Sequence, residues 1–143
     1  MSADQLPDRS TDFGRMVHER LASEHLIWLT TVGKDGTPQP NPVWFLHEDG
    51  EILVYNIKSA NRLVHIKNRP RVALNFDADS GGNSIVVITG IARAVPDEPL
   101  PTANPSYLAK YAEPMVQVSG DADKFASIYN QAIRIDIAKV RGF

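Results

Sequence analysis

Cysteine is absent from the 143 residues, and with it go disulfides, thiolate nucleophiles and cysteine metal sites. No apolar run approaches the roughly 20 residues that a bilayer-spanning helix needs, so no membrane protein is expected. Charge of one sign is scarce as well. Fifteen Lys and Arg stand against 17 Asp and Glu, a formal net charge of −2. General nucleic-acid binding concentrates Lys and Arg against phosphates, so any basic patch here must be local. The opening MSADQLPDRSTD has neither the basic start nor the apolar middle of a secretory signal, which makes the cytoplasm the expected location. His18, His25, His47 and His65 are scattered, with no pair at the i, i+4 spacing of a helical metal site, and no metal is assigned.

What is present fits one domain over residues 1–143, long enough for a real core and too short for two typical ones. Hydrophobic residues make up 43% and charged residues 22%, the balance of a soluble globular chain. Residues 26–62 carry most of the information. Asp35-Gly36 and Asp49-Gly50 each lie between apolar or alternating runs, the strongest short-range hairpin signal. The expectation is an antiparallel meander of three strands, Leu26 to Val32, Pro38 to His47 and Glu51 to Asn56. Pro38, Pro40 and Pro42 cannot donate to a ladder, which places the second strand at an edge, at a bulge or beside a ligand.

Immediately after the third strand, Lys58-Ser59-Ala60-Asn61-Arg62 gathers a hydroxyl, an amide and two cations at the start of a helix that Ser59 would cap and Pro70 would stop. Such a start is either a capped, solvated helix end or a seat for phosphate, held by free N–H groups, the helix dipole and charge-assisted bonds. Ser10, Thr11 or Asp12 can cap an earlier helix with Phe13, Met16, Val17 and Leu21 on one face. Arg71 to Asp77 alternates as a half-buried strand, and Asn83 to Val95 is a long β-branched strand whose Gly90 predicts a bulge or sharp bend. Four prolines from Pro96 to Pro105 stiffen a connection. Two helices follow, one through Tyr107, Leu108 and Tyr111, the other begun by Asp121 with Phe125, Ile128, Tyr129 and Ala132 inside. A last strand alternates Ile133, Ile135 and Ile137 with Arg134 and Asp136. The total is six strands, mostly antiparallel, with three or four helices.

Other chemistries find no footing. Asp77-Ala78-Asp79-Ser80-Gly81 starts like a calcium loop, but Gly81 takes the third ligand position and Ile88 stands where the bidentate Glu is required, so it reads as a turn. Ser84 lies outside a nucleophile-elbow context, and hydrolase chemistry is discarded.

The order of segments resembles the split-barrel flavin and deazaflavin oxidoreductases, the pyridoxamine 5′-phosphate oxidase superfamily, and especially its short deazaflavin-dependent reductase branch. The residues that carry the likeness are Leu29-Thr30-Thr31, Asp35-Gly36-Thr37-Pro38, Pro42-Val43-Trp44-Phe45, Tyr55-Asn56 with Lys58-Ser59 and Asn61-Arg62, Asn68 to Leu74, and Thr89-Gly90-Ile91-Ala92. The resemblance implies an α+β fold, a six-stranded antiparallel split β-barrel with flanking helices. It implies a homodimer with the cofactor, coenzyme F420 or FMN, at the interface. Gln39, Asn41, Pro42, Val43 and Trp44 would lie under or beside the ring, while Tyr55, Asn56, Lys58, Ser59, Asn61 and Arg62 would hold the phosphate. Trp44 would stack on the ring, wall its edge, or simply belong to the core.

The redox chemistry is the cofactor's, so the chain needs no acid, base or nucleophile of its own, and no catalytic residue is assigned. IRIDIAKVRGF does not match the Arg- and His-containing substrate segment of the pyridoxamine oxidases, which argues against pyridoxal phosphate synthesis. The expected function is hydride transfer between F420 or FMN and a small unsaturated organic substrate. The alternative is non-catalytic binding of flavin, deazaflavin or haem. A nucleic-acid-binding barrel ranks last.

Overall fold

A computed structural model describes residues 5–143. Its seven strands form one curled, fully antiparallel sheet in the order β2-β1-β5-β6-β7-β4-β3, a half-barrel with flanking helices. The strands are β1 (Ile27–Val32), β2 (Pro38–Val43), β3 (Leu46–Glu48), β4 (Glu51–Ile57), β5 (Arg71–Asn75), β6 (Val86–Ala94) and β7 (Tyr129–Gly142). The helices are α1 (Asp12–Ser23), α2 (Asn61–Asn68), α3 (Pro105–Ser119) and α4 (Ala122–Ile128), with a 3-10 turn at Pro101–Ala103.

Both Asp-Gly turns close hairpins, β1 to β2 and β3 to β4. Asp49 and Gly50 have φ of 54° and 73°, the left-handed pair that a two-residue hairpin turn requires. Thr11 caps α1 through Gly14 N–H, burying Val17 and Leu21. The register of β6 against β7 shifts between Thr89 and Gly90, the bulge that this glycine predicts.

The expected meander is corrected: β2 and β4 do not pair, and there are seven strands rather than six. The segment from Pro38 to His47 breaks at Trp44-Phe45 into β2 and β3, which take opposite edges of the sheet. The cause is side-chain hydrogen bonding from α3. Phe45 N–H donates to Tyr111 Oη at 2.9 Å, and Phe45 C=O accepts from Lys110 Nζ at 2.9 Å, so both backbone groups are satisfied without a neighbouring strand. Tyr111 Oη in turn donates to His25 C=O at 2.7 Å. Because β2 and β3 are two residues apart in the chain, the sheet must curl until its edges meet at this link.

Tyr111→Phe should therefore cost about 1–3 kcal/mol, the penalty for leaving the buried Phe45 N–H unpaired. Urea denaturation measures it, and an unchanged midpoint would mean that the bond does not hold the link.

Gly33 N–H donates to Thr37 C=O at 3.0 Å. With Thr31 opposite Gln39 and Leu29 opposite Asn41, the odd-numbered positions of β2 are the bonded ones. Pro38, Pro40 and Pro42 therefore turn toward the free edge, where no N–H is needed.

Two further expectations change. The residue before α2 is Ala60, not Ser59, and it provides no side-chain cap. Helix α4 ends at Ile128, so Tyr129 and Ala132 belong to β7; Ala132 and the alternate isoleucines Ile133, Ile135 and Ile137 are buried. The core has two parts. One fills the half-barrel around Leu29, Phe45, Ile88 and Ile135. The other lies between α3, α4 and the sheet around Leu53, Tyr107, Tyr111 and Phe125.

Candidate functional site

A cavity of about 650 Å³ opens beside β2, bounded by β2, the end of β4, the first turns of α2, and α3 and α4. Its size falls in the usual range for small-molecule sites. Gln39, Asn41 and Val43 share the face of β2 that bears on it, since their partners Thr31, Leu29 and Ile27 are buried. Gln39 and Asn41 are exposed to the opening, an unusual polar lining for the inner face of a curled sheet.

An aromatic wall stands opposite. Trp44 stacks on Tyr111 at 4.7 Å between centroids and on Phe125 at 5.1 Å. Tyr129 continues the pile at 4.5 Å from Phe125. With its ring engaged by two aromatic stacks within the chain, Trp44 serves as part of the cavity wall.

The cationic part of the lining sits at α2. Arg62 is half-buried, lines the cavity, and has no acidic partner among the described residues. Burial pulls its pKa down from the ordinary guanidinium value. Its Nη1 donates to Asn56 Oδ1 at 2.7 Å. Asn56 is fully buried at the irregularity of β4 against β7, and its Nδ2 donates to Gln131 C=O at 2.8 Å and Val54 C=O at 3.2 Å. Asn56 is thus a buried clamp that aims Arg62. The other three helices are capped by side chains of Thr11, Asn104 and Asp121. At α2 the cap residue Ala60 leaves first-turn N–H groups without one, beside the same cavity. Free N–H groups and an unpaired cation together suit a phosphate.

Next along α2, His65 Nδ1 meets Thr31 Oγ1 at 2.8 Å, and both residues line the cavity.

Of the candidates read from sequence, Gln39, Asn41, Pro42, Val43, Trp44, Tyr55, Asn61 and Arg62 line this one cavity. Lys58 and Ser59 are exposed and outside its lining, and Asn56 lies beneath it. Tyr55 presents its ring, for its hydroxyl donates to Pro99 C=O at 2.6 Å and burial raises its pKa to about 12. Sequence reasoning missed His65, Tyr107, Val118, Phe125 and Tyr129. A signal existed for His65, three residues after Arg62 and so on the same helical face.

The family model described as pyridoxamine 5′-phosphate oxidase matches residues 14–143. Among solved structures, an F420 reductase aligns at 22% identity over 87% of this chain and 94% of that one, with a TM-score of 0.66. The haem storage protein HutZ from Vibrio cholerae aligns at 13% identity over 92% and 95%, with a TM-score of 0.64. An FAD-binding protein from Mesorhizobium loti aligns at 18% over 86% and 88%, with a TM-score of 0.60. Likeness at these identities speaks for the fold. No curated protein matches the chain.

Proposed function

The chain belongs to the pyridoxamine 5′-phosphate oxidase family, and from that premise we propose that its cavity binds a phosphorylated flavin-type cofactor, coenzyme F420 or FMN, and serves hydride transfer to or from a small unsaturated organic substrate. The observation that carries this reading is Arg62, a half-buried cation without an acidic partner among the described residues, aimed by Asn56 at a cavity beside an uncapped helix start. The cofactor supplies the hydride chemistry when bound. The residues of the chain bind and orient it. Arg62, Asn61 and the first N–H groups of α2 hold the phosphate, Gln39 and Asn41 offer amides to the polar edge of the ring, and Trp44 limits how far the ring can slide.

Leu26 and Val118, 53% and 58% exposed, are among the residues that line the cavity. Such an apolar rim suits closure by a second copy, giving a homodimer with a shared site.

A second reading is non-catalytic binding of a flavin, deazaflavin or haem, since the cavity and Arg62 ask only that a ligand be held there.

Titration of purified protein with F420 and with FMN, followed by fluorescence, tests the proposal. One of the two should bind with saturable quenching, and light scattering should give twice the monomer mass. Hydride transfer from the bound reduced cofactor to an added acceptor separates the catalytic reading from the binding one. No saturable binding of either cofactor would contradict both flavin-type readings.

A further inference from the structure

Lys110 stands apart from the other lysines of the chain. Lys34, Lys58, Lys67, Lys124 and Lys139 are exposed, whereas Lys110 is half-buried on α3. Its Nζ donates to Phe45 C=O at 2.9 Å, and it lies 3.7 Å from the centroid of the Phe45 ring and 5.3 Å from that of Tyr111. No carboxylate of the described residues forms an ion pair with it. Lys110 also lines a second concavity, of about 420 Å³, which shares no residue with the cavity beside β2. The lining joins His25 to one face of α3, where Lys110, Glu113 and Gln117 recur at helical spacing.

An amine held in this way is poised between two states. Burial, above all, brings the Lys110 pKa down to about 8, against an opposing pull from Glu24. The ring faces favour the cation, so charged and neutral forms both occur near neutral pH. The neutral form is a nucleophile, and a lysine desolvated beside apolar groups is the kind that attacks a carbonyl carbon. Glu113 sits one turn further along α3 and lines the same concavity, a position from which a carboxylate can pass protons during such an attack.

We propose that Lys110 is the nucleophile of a second site, separate from the cofactor cavity, which captures a small neutral aldehyde as an imine. The Nζ lone pair forms a C–N bond to the aldehyde carbon, and the carbonyl oxygen takes up a proton. The resulting carbinolamine then loses that oxygen as water, with Glu113 passing the protons, and a C=N bond forms. Nothing is oxidised or reduced. The protonated imine keeps one N–H for Phe45 C=O and a positive charge over the Phe45 ring, so both contacts that hold Lys110 survive the reaction. An acyl donor would instead leave a neutral amide and forfeit the charge over the ring, which is why the site suits an aldehyde. Glu113, with no arginine in the lining, turns the preference away from aldehydes that carry an acid group.

The test uses the wild-type chain, with propanal as the neutral probe, glyoxylate as the acidic one and cyanoborohydride to trap the imine. Peptide mass spectrometry then reads the rate of alkylation at each lysine. With propanal at neutral pH, Lys110 should be trapped about tenfold or more faster than the five exposed lysines, because far more of its amine is neutral. Its rate should level off above about pH 8 while theirs continue to climb. The preference for Lys110 over the exposed lysines should be smaller with glyoxylate. Trapping at Lys110 no faster than at the exposed lysines would overturn the proposal, as would a preference for Lys110 that is equal or greater with glyoxylate. Neither readout involves F420 or FMN, so the outcome is independent of whether either cofactor binds.

Discussion

Arg62→Ala should weaken binding of F420 or FMN by about 1.5–3 kcal/mol, roughly 10- to 150-fold, the worth of a hydrogen bond to a charged group. Three features set the size of the effect. The guanidinium is half-buried, so its field is screened less than that of a surface charge. No carboxylate of the described residues competes with the ligand for it. Asn56, held by Gln131 and Val54, fixes its direction in advance, so little ordering is lost on binding. Lys58 supplies the contrast. It is exposed and outside the cavity lining, and Lys58→Ala should change affinity by less than about 1 kcal/mol. Fluorescence titration of both variants measures the difference. Equal losses for Lys58 and Arg62 would move the phosphate out of the cavity toward the helix surface.

Gly90→Ala should destabilise the fold by about 2–3 kcal/mol through overpacking. A Cβ built at this position would lie 2.4 Å from Asp136 C=O and 2.9 Å from Ile135 Cγ2. The first obstacle is backbone of β7, which sits between β6 and β4 and cannot move without disturbing both ladders. The bulge lets β6 approach β7 this closely while the sheet bends. Gly36 is the internal control: nothing lies within 4 Å of a Cβ there, so its penalty is conformational, set by a φ of +85°. Thermal unfolding of Gly90→Ala would show the loss directly, and a wild-type midpoint would mean that β7 can shift to admit a methyl group.

Where an element is set by neighbours in sequence, it was legible before the structure. The Asp-Gly turns, a first cap among Ser10, Thr11 and Asp12, the Asp121 cap, the irregularity at Gly90 and a ladder-free side for Pro38 to Pro42 all follow from local stereochemistry, and the structure chose among the options each left open. Where a distant side chain decides, it was not. The break at Phe45 depends on Tyr111 and Lys110, 66 and 65 residues away, and no pattern within Pro38 to His47 announces it. The candidate site divides the same way. The half on β2 and α2, from Gln39 to Arg62, is nearly contiguous in sequence and was readable as a unit. The half on α3 and α4 was read only as buried helix faces, because Tyr107 and Phe125 carry the same apolar signal whether they face core or cavity. Asn56 and Tyr55 stand between. Their place next to the site was evident, but their hydrogen bonds turn one into a clamp beneath the cavity and leave the other only its ring to offer.

The central claim, that the cavity is a seat for a phosphorylated flavin-type ring with Arg62 as its anion contact, is tested most directly by comparing each cofactor with its phosphate-free form. FMN against riboflavin, and F420 against its deazaflavin riboside, differ in the phosphate group and what hangs from it. The account predicts that at least one phosphorylated member binds wild type about tenfold or more tightly than its partner, and that the gap closes in Arg62→Ala. Equal affinities within both pairs in the wild-type protein would contradict it.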